Sequence, residues 1–486
     1  MNSGTGMGET EGRVLHTVAE MAAAMGAEVR GTPRDATGIS IDSRSLAPGD
    51  TFFAIAGENS DGHAYVSKAL EAGASACVVA REKLDQFPTD APLLVVDDVL
   101  AALTDLARAS RARSLAGIVA VTGSVGKTTT KEALRIALGA DGETHASAAS
   151  YNNHWGVPLS LARLPREARY GVFEIGMNHP GEITPLVKLV RPQVAIITTV
   201  EPVHIAQFSG IEEIADAKAE IFQGLEPGGA VVLNLDNPLF PRLKAAAEAL
   251  GIDRIITFGE TAGADVRLKE AALQSYCSVG VADVMGTPVT FKVGMPGRHI
   301  VQNMLAVLAA AKLVGADLAL VGLALSRMKA PPGRGVALRL QVKGGQATLL
   351  DESYNANPAS MRAALDVLSR TPVGPRGRRI AVLGDMLELG PDGEAHHAEL
   401  AEAIRTAKID QVFCCGPQMH ALWQALPSER RGGYAIHASH LEPMVASAIR
   451  GGDTLMVKGS NGSRMGPLVK SLAERFRAAE DALLEG

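Results

Sequence analysis

Residues Ile118–Lys131 read IVAVTGSVGKTTTK. An apolar run, Gly117–Thr122, passes straight into Gly123-Ser124-Val125-Gly126-Lys127-Thr128, and the residues from Thr129 onward have helical character. Strand, glycine-bearing loop and helix in that order are what a phosphate-binding loop requires. The glycines let backbone N–H groups converge on phosphate oxygens. The helix N-terminus adds partial positive charge. Lys127 can neutralise β/γ-phosphate charge, and the Thr128 hydroxyl suits Mg²⁺. The first glycine of the common pattern falls on Val121, so the bland alternative is a chance GxxGKT; the strand before it favours nucleotide binding.

Working outward, apolar runs alternate with amphipathic stretches along the whole chain of 486 residues. Before the loop, strands are predicted at Gly38–Ile41, Thr51–Ala54, Ala76–Ala80 and Leu93–Val96, with helices near Val14–Met25, Tyr65–Ala72 and Leu100–Arg111. After it come strands at Gly171–Ile175, Val194–Thr199, Ala230–Asn234 and Ile255–Phe258. Such alternation means βαβ units and mainly parallel sheets. Met328–Arg334, MKAPPGR, interrupts the pattern, because two adjacent prolines forbid a helix and stiffen the chain. Beyond it, strands are predicted at Ala347–Asp351, Ile380–Gly384, Gln411–Cys415 and Thr454–Lys458. The expected fold class is α/β with three domains: a small N-terminal α/β domain over 13–112, a central phosphate-loop domain with a mainly parallel sheet over 113–328, and a Rossmann-like C-terminal α/β domain over 329–486.

Composition narrows the function. Hydrophobic residues make up 47% and charged residues 21%, an ordinary globular balance with enough apolar surface for several cores. The net charge of −6 argues against nucleic acid or acidic lipid as the main partner. The four cysteines, Cys77, Cys277, Cys414 and Cys415, form no CxxC pair; reduced, buried thiols in a cytoplasmic protein are expected. The polar start, MNSGTGMGETEG, lacks the basic and apolar parts of a signal peptide and reads as a loose tail. The long apolar stretch Met304–Leu325 carries Lys312 and Asp317, so no membrane span is expected.

Three further residues suit phosphate chemistry. Glu174 ends a predicted strand, at the sheet edge where ligands bind in open α/β sheets, and a carboxylate there can hold Mg²⁺. His204 follows the next strand, although a lone histidine is more often structural and Mg²⁺ prefers oxygen. Lys218 shares the apolar stripe of Ile211, Ile214, Ala215 and Phe222. Two readings of it stand here. A buried, unpaired ammonium tends to lose its proton, leaving a neutral amine able to take up CO₂ as a carbamate. A lysine at the stripe's edge can instead extend its ammonium to water.

With these residues placed, the chain resembles the Mur ligase family, ATP-dependent amide ligases of peptidoglycan precursor synthesis, from about residue 13 to 480. The resemblance rests on TGSVGKTTTK at 122–131, YNNHWGVPLSL at 151–161, EIGMNHPGEI at 174–183, AKAEIF at 217–222 and PGRHIVQNMLA at 296–306. In the third domain, DESYNANPASM at 351–361 and LGDMLELG at 383–390 resemble the branch that adds a D-alanyl-D-alanine dipeptide. DSRSLAPGDTFFAIAGENSDGH at 42–63 resembles the UDP-sugar domain shared with the branch adding the third peptide residue. That sibling branch usually carries a DNPR motif, which this chain lacks.

The resemblance implies an ADP-forming ligase that joins UDP-N-acetylmuramoyl-tripeptide to D-alanyl-D-alanine through an acyl phosphate, working as a cytoplasmic monomer without nucleic acid or a membrane span. It implies ATP on Gly123, Ser124, Val125, Gly126, Lys127, Thr128 and Thr129, with Asn303 on the adenine side, Arg334 on phosphate and Asp351 on ribose. One Mg²⁺ would fall to Thr128 and Glu174, and a second to His204 and a carbamoylated Lys218. Lys127, His204 and Lys218 would be the catalytic groups. Ser43 and Arg44 would meet the uridine end. Asn152 and Asn153 would meet substrate, and Tyr354, Asn355 and Asn357 would form the dipeptide side. The competing classes are another ligase of the family, a phosphate-loop switch that binds nucleotide without ligating, and an inactive scaffold; an ATPase assay with and without acceptors separates them.

Overall fold

A computed structural model of the chain describes residues 12–57, 60–148, 150–202, 207–477 and, by backbone, 479–480. His204 and the acidic N-terminal stretch up to residue 11 lie outside these.

Three sheets organise the molecule. The first has five strands in the order Glu28–Arg30, Leu93–Val96, Ala76–Ala80, Asp50–Phe53, Gly38–Ser40; only Glu28–Arg30 runs antiparallel to its neighbour. The helix Val99–Arg113 closes this domain. Asp98 caps it, accepting from the Leu100 and Ala101 N–H groups at 2.8 and 2.9 Å. Its buried face, including Ala102, Leu103 and Leu106, continues into a core shared with Val157, Leu159 and Leu161 of the central helix Gly156–Ala162. Polar ties cross the same boundary. Arg111 donates to the carbonyls of Val190 and Arg191, both at 2.7 Å, and Arg163 donates to Ile39 O at 2.7 Å.

The central sheet has nine strands. Gly117–Thr122 lies inside it, with Tyr170–Glu174 and then Thr144–Ala146 on one side, and on the other Val194–Ile197, Ala230–Asn234 and Ile255–Gly259, all parallel. The chain visits one side of Gly117–Thr122 and then the other, so the carboxyl end of that strand sits at the switch point where open α/β sheets bind ligands. Beyond Ile255–Gly259 come Val266–Leu273, Ser278–Val284 and Thr287–Val293, the last two pairings antiparallel. This antiparallel extension was not expected from the sequence. The helix Arg298–Leu313 packs on the sheet with an almost unbroken apolar face.

The third sheet runs Arg431–Ala435, Gln411–Cys415, Arg379–Gly384, Thr454–Lys458, Gly345–Glu352, Val336–Val342, Ala479–Glu480. The first five are parallel and the last two antiparallel. Its two faces carry separate cores, and the adjacent cysteines divide between them, Cys414 to one and Cys415 to the other. All four cysteines are free and buried. The fold is thus a three-domain α/β architecture with mainly parallel sheets. The expected strands at Ala76–Ala80, Leu93–Val96, Gln411–Cys415 and Thr454–Lys458 occur with those bounds. The first helix begins at Val18 rather than Val14, because Thr17 and Glu20 form a capping box that fixes its start. Residues 328–335 carry no helix or strand, in keeping with Pro331-Pro332.

Candidate active site between the second and third domains

The loop after Gly117–Thr122 takes a shape that only glycine allows at two points. Gly123 and Gly126 have φ of +144° and +87°. A Cβ at Gly126 would lie 2.8 Å from Asn303 Nδ2, and one at Gly123 would lie 2.0 Å from Thr198 Oγ1. The segment after Val194–Ile197 clamps the loop. Thr198 Oγ1 donates to Val125 O at 2.6 Å, Ser124 N donates to Thr199 O at 2.9 Å, and Ser124 Oγ exchanges hydrogen bonds with the Glu201 backbone at 2.9 Å. The helix Lys127–Gly139 then starts directly behind the loop. Lys127 folds back, its Nζ donating to Gly123 O at 2.7 Å. Burial lowers its pKa; Glu174 opposes that shift and Arg334 adds to it.

This loop forms one wall of a cleft of about 870 Å³. Ser124 to Thr129, Asn152, Glu174 and Asn303 line it from the central domain, and Arg334, Tyr354, Asn355 and Asn357 line it from the third. The two walls touch where Tyr354 Oη donates to Ser150 Oγ at 3.1 Å. The Arg334 guanidinium lies over the Tyr354 ring, 4.0 Å from its centroid. Most of the expected site residues are therefore gathered in one place although they come from distant parts of the chain.

Glu174 is almost fully buried at the carboxyl end of its strand. Asn152 Nδ2 donates to its Oε1 at 2.8 Å, while Oε2 is buried without a hydrogen-bond partner among the described residues. An orphaned carboxylate oxygen facing a phosphate loop fits a cation. No group of three or more His, Cys, Asp or Glu side chains among the described residues could hold an ion by itself. A cation here would rest on Glu174 and Thr128 and draw its other ligands from phosphate and water, the habit of Mg²⁺. Lys218, on the helix Ile211–Ala219, is 2% exposed, and burial together with the charge of Lys127 drives its pKa well below 10.5.

Other expected residues lie elsewhere or do other work. Asp351 does not line the cleft: its Oδ1 accepts from the backbone N–H and hydroxyl of Ser353 at 3.1 and 2.6 Å. Glu352, on the opposite face of the same strand, faces the cleft instead. Asn153 is exposed, and its Oδ1 accepts from the Trp155 and Gly156 N–H groups, fixing the start of the helix Gly156–Ala162. Asn357 lines the cleft, but its side chain caps the helix Pro358–Arg370 through Ser360. Gly123 shapes the loop without lining the cleft. Ser43 and Arg44 stand apart on the first domain, where Arg44 is exposed and paired with Asp42.

Sequence reasoning missed Glu352, Lys458, His299, Glu201 and the hairpin tip Ser275–Tyr276, all of which line the cleft. The rule that singled out Glu174 would have found two of them: Glu352 and Lys458 end adjacent parallel strands, in register with each other. Burial raises the pKa of Glu352 and lowers that of Lys458.

Comparison with known proteins agrees with this geometry. Three family models match consecutive parts of the chain: the Mur ligase family catalytic domain over residues 35–111, the Mur ligase middle domain over 121–311, and the Mur ligase glutamate ligase domain over 338–461. The UDP-N-acetylmuramoyl-tripeptide--D-alanyl-D-alanine ligase of Escherichia coli is 35% identical over 463 residues, covering 94% of this chain and 98% of that protein. The Bacillus subtilis protein of the same name is 32% identical, covering 90% and 93%. Among solved structures, MurF from Acinetobacter baumannii superposes with a TM-score of 0.80 at 28% identity, covering 94% of this chain and 99% of that one. MurF from Thermotoga maritima in complex with ADP gives 0.73 at 25%, covering 90% and 98%. With its phosphate loop, its buried carboxylate and its three sheets in this order, the chain belongs to the Mur ligase family.

Proposed function

We propose that this protein is the ATP-dependent, ADP-forming ligase that adds D-alanyl-D-alanine to UDP-N-acetylmuramoyl-tripeptide, giving the pentapeptide precursor of peptidoglycan. The observation that carries the reading is the cleft itself. One wall holds the phosphate loop, Lys127 and Glu174, and the facing wall holds Arg334 and the YNANP turn, in a chain matching ligases of that name over 90% or more of its length.

A carboxylate is a poor electrophile. The tripeptide carboxylate oxygen first bonds to the γ-phosphorus as the bond to the β–γ bridging oxygen breaks and ADP departs. The dipeptide nitrogen then bonds to the acyl carbon, inorganic phosphate leaves, and the amine proton passes to solvent. The protein's task is positioning and charge neutralisation. Backbone N–H groups of the loop and the N-terminus of the helix Lys127–Gly139 hold the phosphates. Lys127 exchanges Gly123 O for a phosphate oxygen. Arg334 brings a second positive charge from the third domain, and Asn303 lies on the adenine side. Thr128 and Glu174 would hold one Mg²⁺, and His204 with a carbamoylated Lys218 a second; bound there, the ions neutralise phosphate charge. Asn152 orients Glu174, and Tyr354 and Asn355 shape the acceptor side. We assign the uridine end to the first domain over 13–112, nucleotide binding to 113–328 and the acceptor to 329–486. No described helix is long and apolar enough to cross a membrane; our reading makes the protein a cytoplasmic enzyme acting as a monomer.

The test is a phosphate-release assay with UDP-N-acetylmuramoyl-tripeptide, ATP and Mg²⁺, comparing D-Ala-D-Ala, D-Ala, L-Lys and meso-diaminopimelate. Turnover is expected with the dipeptide alone. A single D-alanine would leave buried polar groups unpaired, at about 1–3 kcal/mol for each one. Efficient extension of the UDP-dipeptide by diaminopimelate or lysine would move the protein to the sibling branch.

A further inference from the structure

Lys458 has no place in the chemistry derived above, yet it is one of the few buried charges that line the cleft. It ends the strand Thr454–Lys458 and is 3% exposed. Its Nζ donates to Asn355 O at 2.9 Å and stands 3.6 Å from Glu352 Oε2. That distance is an ion pair but not a hydrogen bond, so the ammonium keeps donor capacity for another acceptor. Two cations, Lys458 and Arg334, flank Glu352; the carboxylate of Asp351 also acts on Lys458, but it is engaged in the Ser353 turn and does not line the cleft.

Position suggests which anion. Lys127 lines the cleft from the central domain, and Arg334 and Lys458 line it from the third, Lys458 at the carboxyl end of its strand. Lys458 lines the cleft together with His299 of the central domain, which is near enough to feel its charge. An extended dipeptide spans about 7 Å from its amine to its carboxylate. With the amine at the reacting carbon, the far carboxylate needs a fixed cation at a distance from the phosphate loop.

We infer that Lys458, held by Asn355 O and Glu352, is the receptor for the terminal carboxylate of the incoming dipeptide and the residue that selects an acceptor ending in a free acid. This rests on the ligase reading above. A charge-assisted hydrogen bond to a buried carboxylate discriminates strongly against an uncharged isostere.

The experiment compares D-Ala-D-Ala with its C-terminal amide in the wild type and in Lys458→Met, measuring kcat and KM for each substrate. In the wild type, the amide should have a kcat/KM lower by about 10- to 100-fold, mostly through KM. In Lys458→Met, the acid should fall to the level of the amide, with KM for ATP and for the UDP-tripeptide within about threefold of wild type. Lys458→Arg should restore part of the acid preference. Equal use of acid and amide by the wild type overturns the inference even if the variant fails to fold. A folded Lys458→Met that still prefers the acid, or that loses affinity for ATP instead, overturns it too. If the wild type does not turn over D-Ala-D-Ala at all, the ligase reading itself has failed, and that outcome is distinct from the others.

Discussion

Asn152 Nδ2 donates to Glu174 Oε1 at 2.8 Å, and the partner oxygen of that carboxylate, Oε2, is left buried and without a hydrogen bond among the described residues. The amide holds one oxygen of a carboxylate that lines the cleft and leaves the other free for a ligand. Asn152 thus engages Glu174, the residue proposed to hold Mg²⁺, while the resemblance implied contact with substrate.

Two variants separate these roles. Glu174→Gln removes the charge and should lower kcat by at least about 100-fold at any Mg²⁺ concentration. Asn152→Ala leaves the charge but frees its orientation. It should shift the Mg²⁺ activation curve to higher concentration by roughly 10- to 100-fold, the usual effect of losing a group that orients a ligand. An unchanged Mg²⁺ curve with a raised KM for the UDP-tripeptide would return Asn152 to substrate binding.

Lys218 offers a chemical test. Its amine is buried, and burial and then the charge of Lys127 lower its pKa, which favours the neutral amine that reacts with CO₂. Lys218→Ala should be nearly inactive and partly rescued by acetate or formate. CO₂-depleted wild type should regain activity with bicarbonate, and ¹³C-bicarbonate should give a carbamate resonance lost in the variant. Normal activity of Lys218→Ala would exclude a carbamate role.

How much of this was legible in the sequence depended on whether local chemistry or register decided each feature. The phosphate loop was legible because Gly123 and Gly126 are needed for backbone shape, and shape is local. The strands Ser278–Val284 and Thr287–Val293 were not. The buried face of Ser278–Val284 is Ser278, Gly280, Ala282 and Val284, while Val279 and Val281 point outward. Gly280 is small because the Phe291 ring fills its place; a Cβ there would lie 2.4 Å from Phe291 Cζ. The turn joining the two strands puts Met285, not an Asn or Asp, at φ +48° beside Gly286, which hides the usual hairpin signal. Register also decided between neighbours in the site. In a strand, Asp351 and Glu352 face opposite ways, and nothing in the letters says which faces the ligand. Asn152 and Asn153 are divided by a helix start that claims only the second.

His16 gives the fold a pH dependence. It is 1% exposed where the first domain meets the second. Its Nε2 bonds to Ala162 O at 2.7 Å and its Nδ1 faces Arg113 Nη1 at 3.1 Å. Only the tautomer that donates from Nε2 and accepts at Nδ1 satisfies both. Burial, with Arg113 adding to it, lowers the pKa to about 4 from 6.5, against the weaker pull of Ala162 O and Glu20. Between pH 4 and 6.5 the unfolded chain binds the extra proton, so stability rises with pH through that window and is lost as pH falls through it. The contribution is up to about 3 kcal/mol. Urea unfolding midpoints should drop between pH 6.5 and 4. For His16→Gln, the deficit relative to wild type at pH 7 should shrink by about 3 kcal/mol at pH 4. A constant deficit would show that His16 does not carry this dependence.

Tyr354 tests motion between the walls of the cleft. The first and second domains share one apolar core, whereas the cores of the third domain are its own. The linker Pro331-Pro332-Gly333 and the contacts across the cleft therefore set how the third domain sits. Tyr354 makes one of these contacts, through its hydroxyl to Ser150, and within the third domain its ring lies under Arg334, the residue proposed for phosphate. Tyr354→Phe removes the first and should cost kcat/KM no more than about threefold, because an exposed hydrogen bond contributes little. Tyr354→Ala removes both and should cost about tenfold or more, given roughly 0.5–2 kcal/mol for the cation–π contact and the loss of Arg334 orientation. In solution scattering, wild type should contract when an ATP analogue and the UDP-tripeptide are both bound. Tyr354→Ala should be more expanded without ligands and need higher ligand concentrations to contract. Identical curves for both proteins, with and without ligands, would mean that the third domain does not move and that Arg334 is already in place.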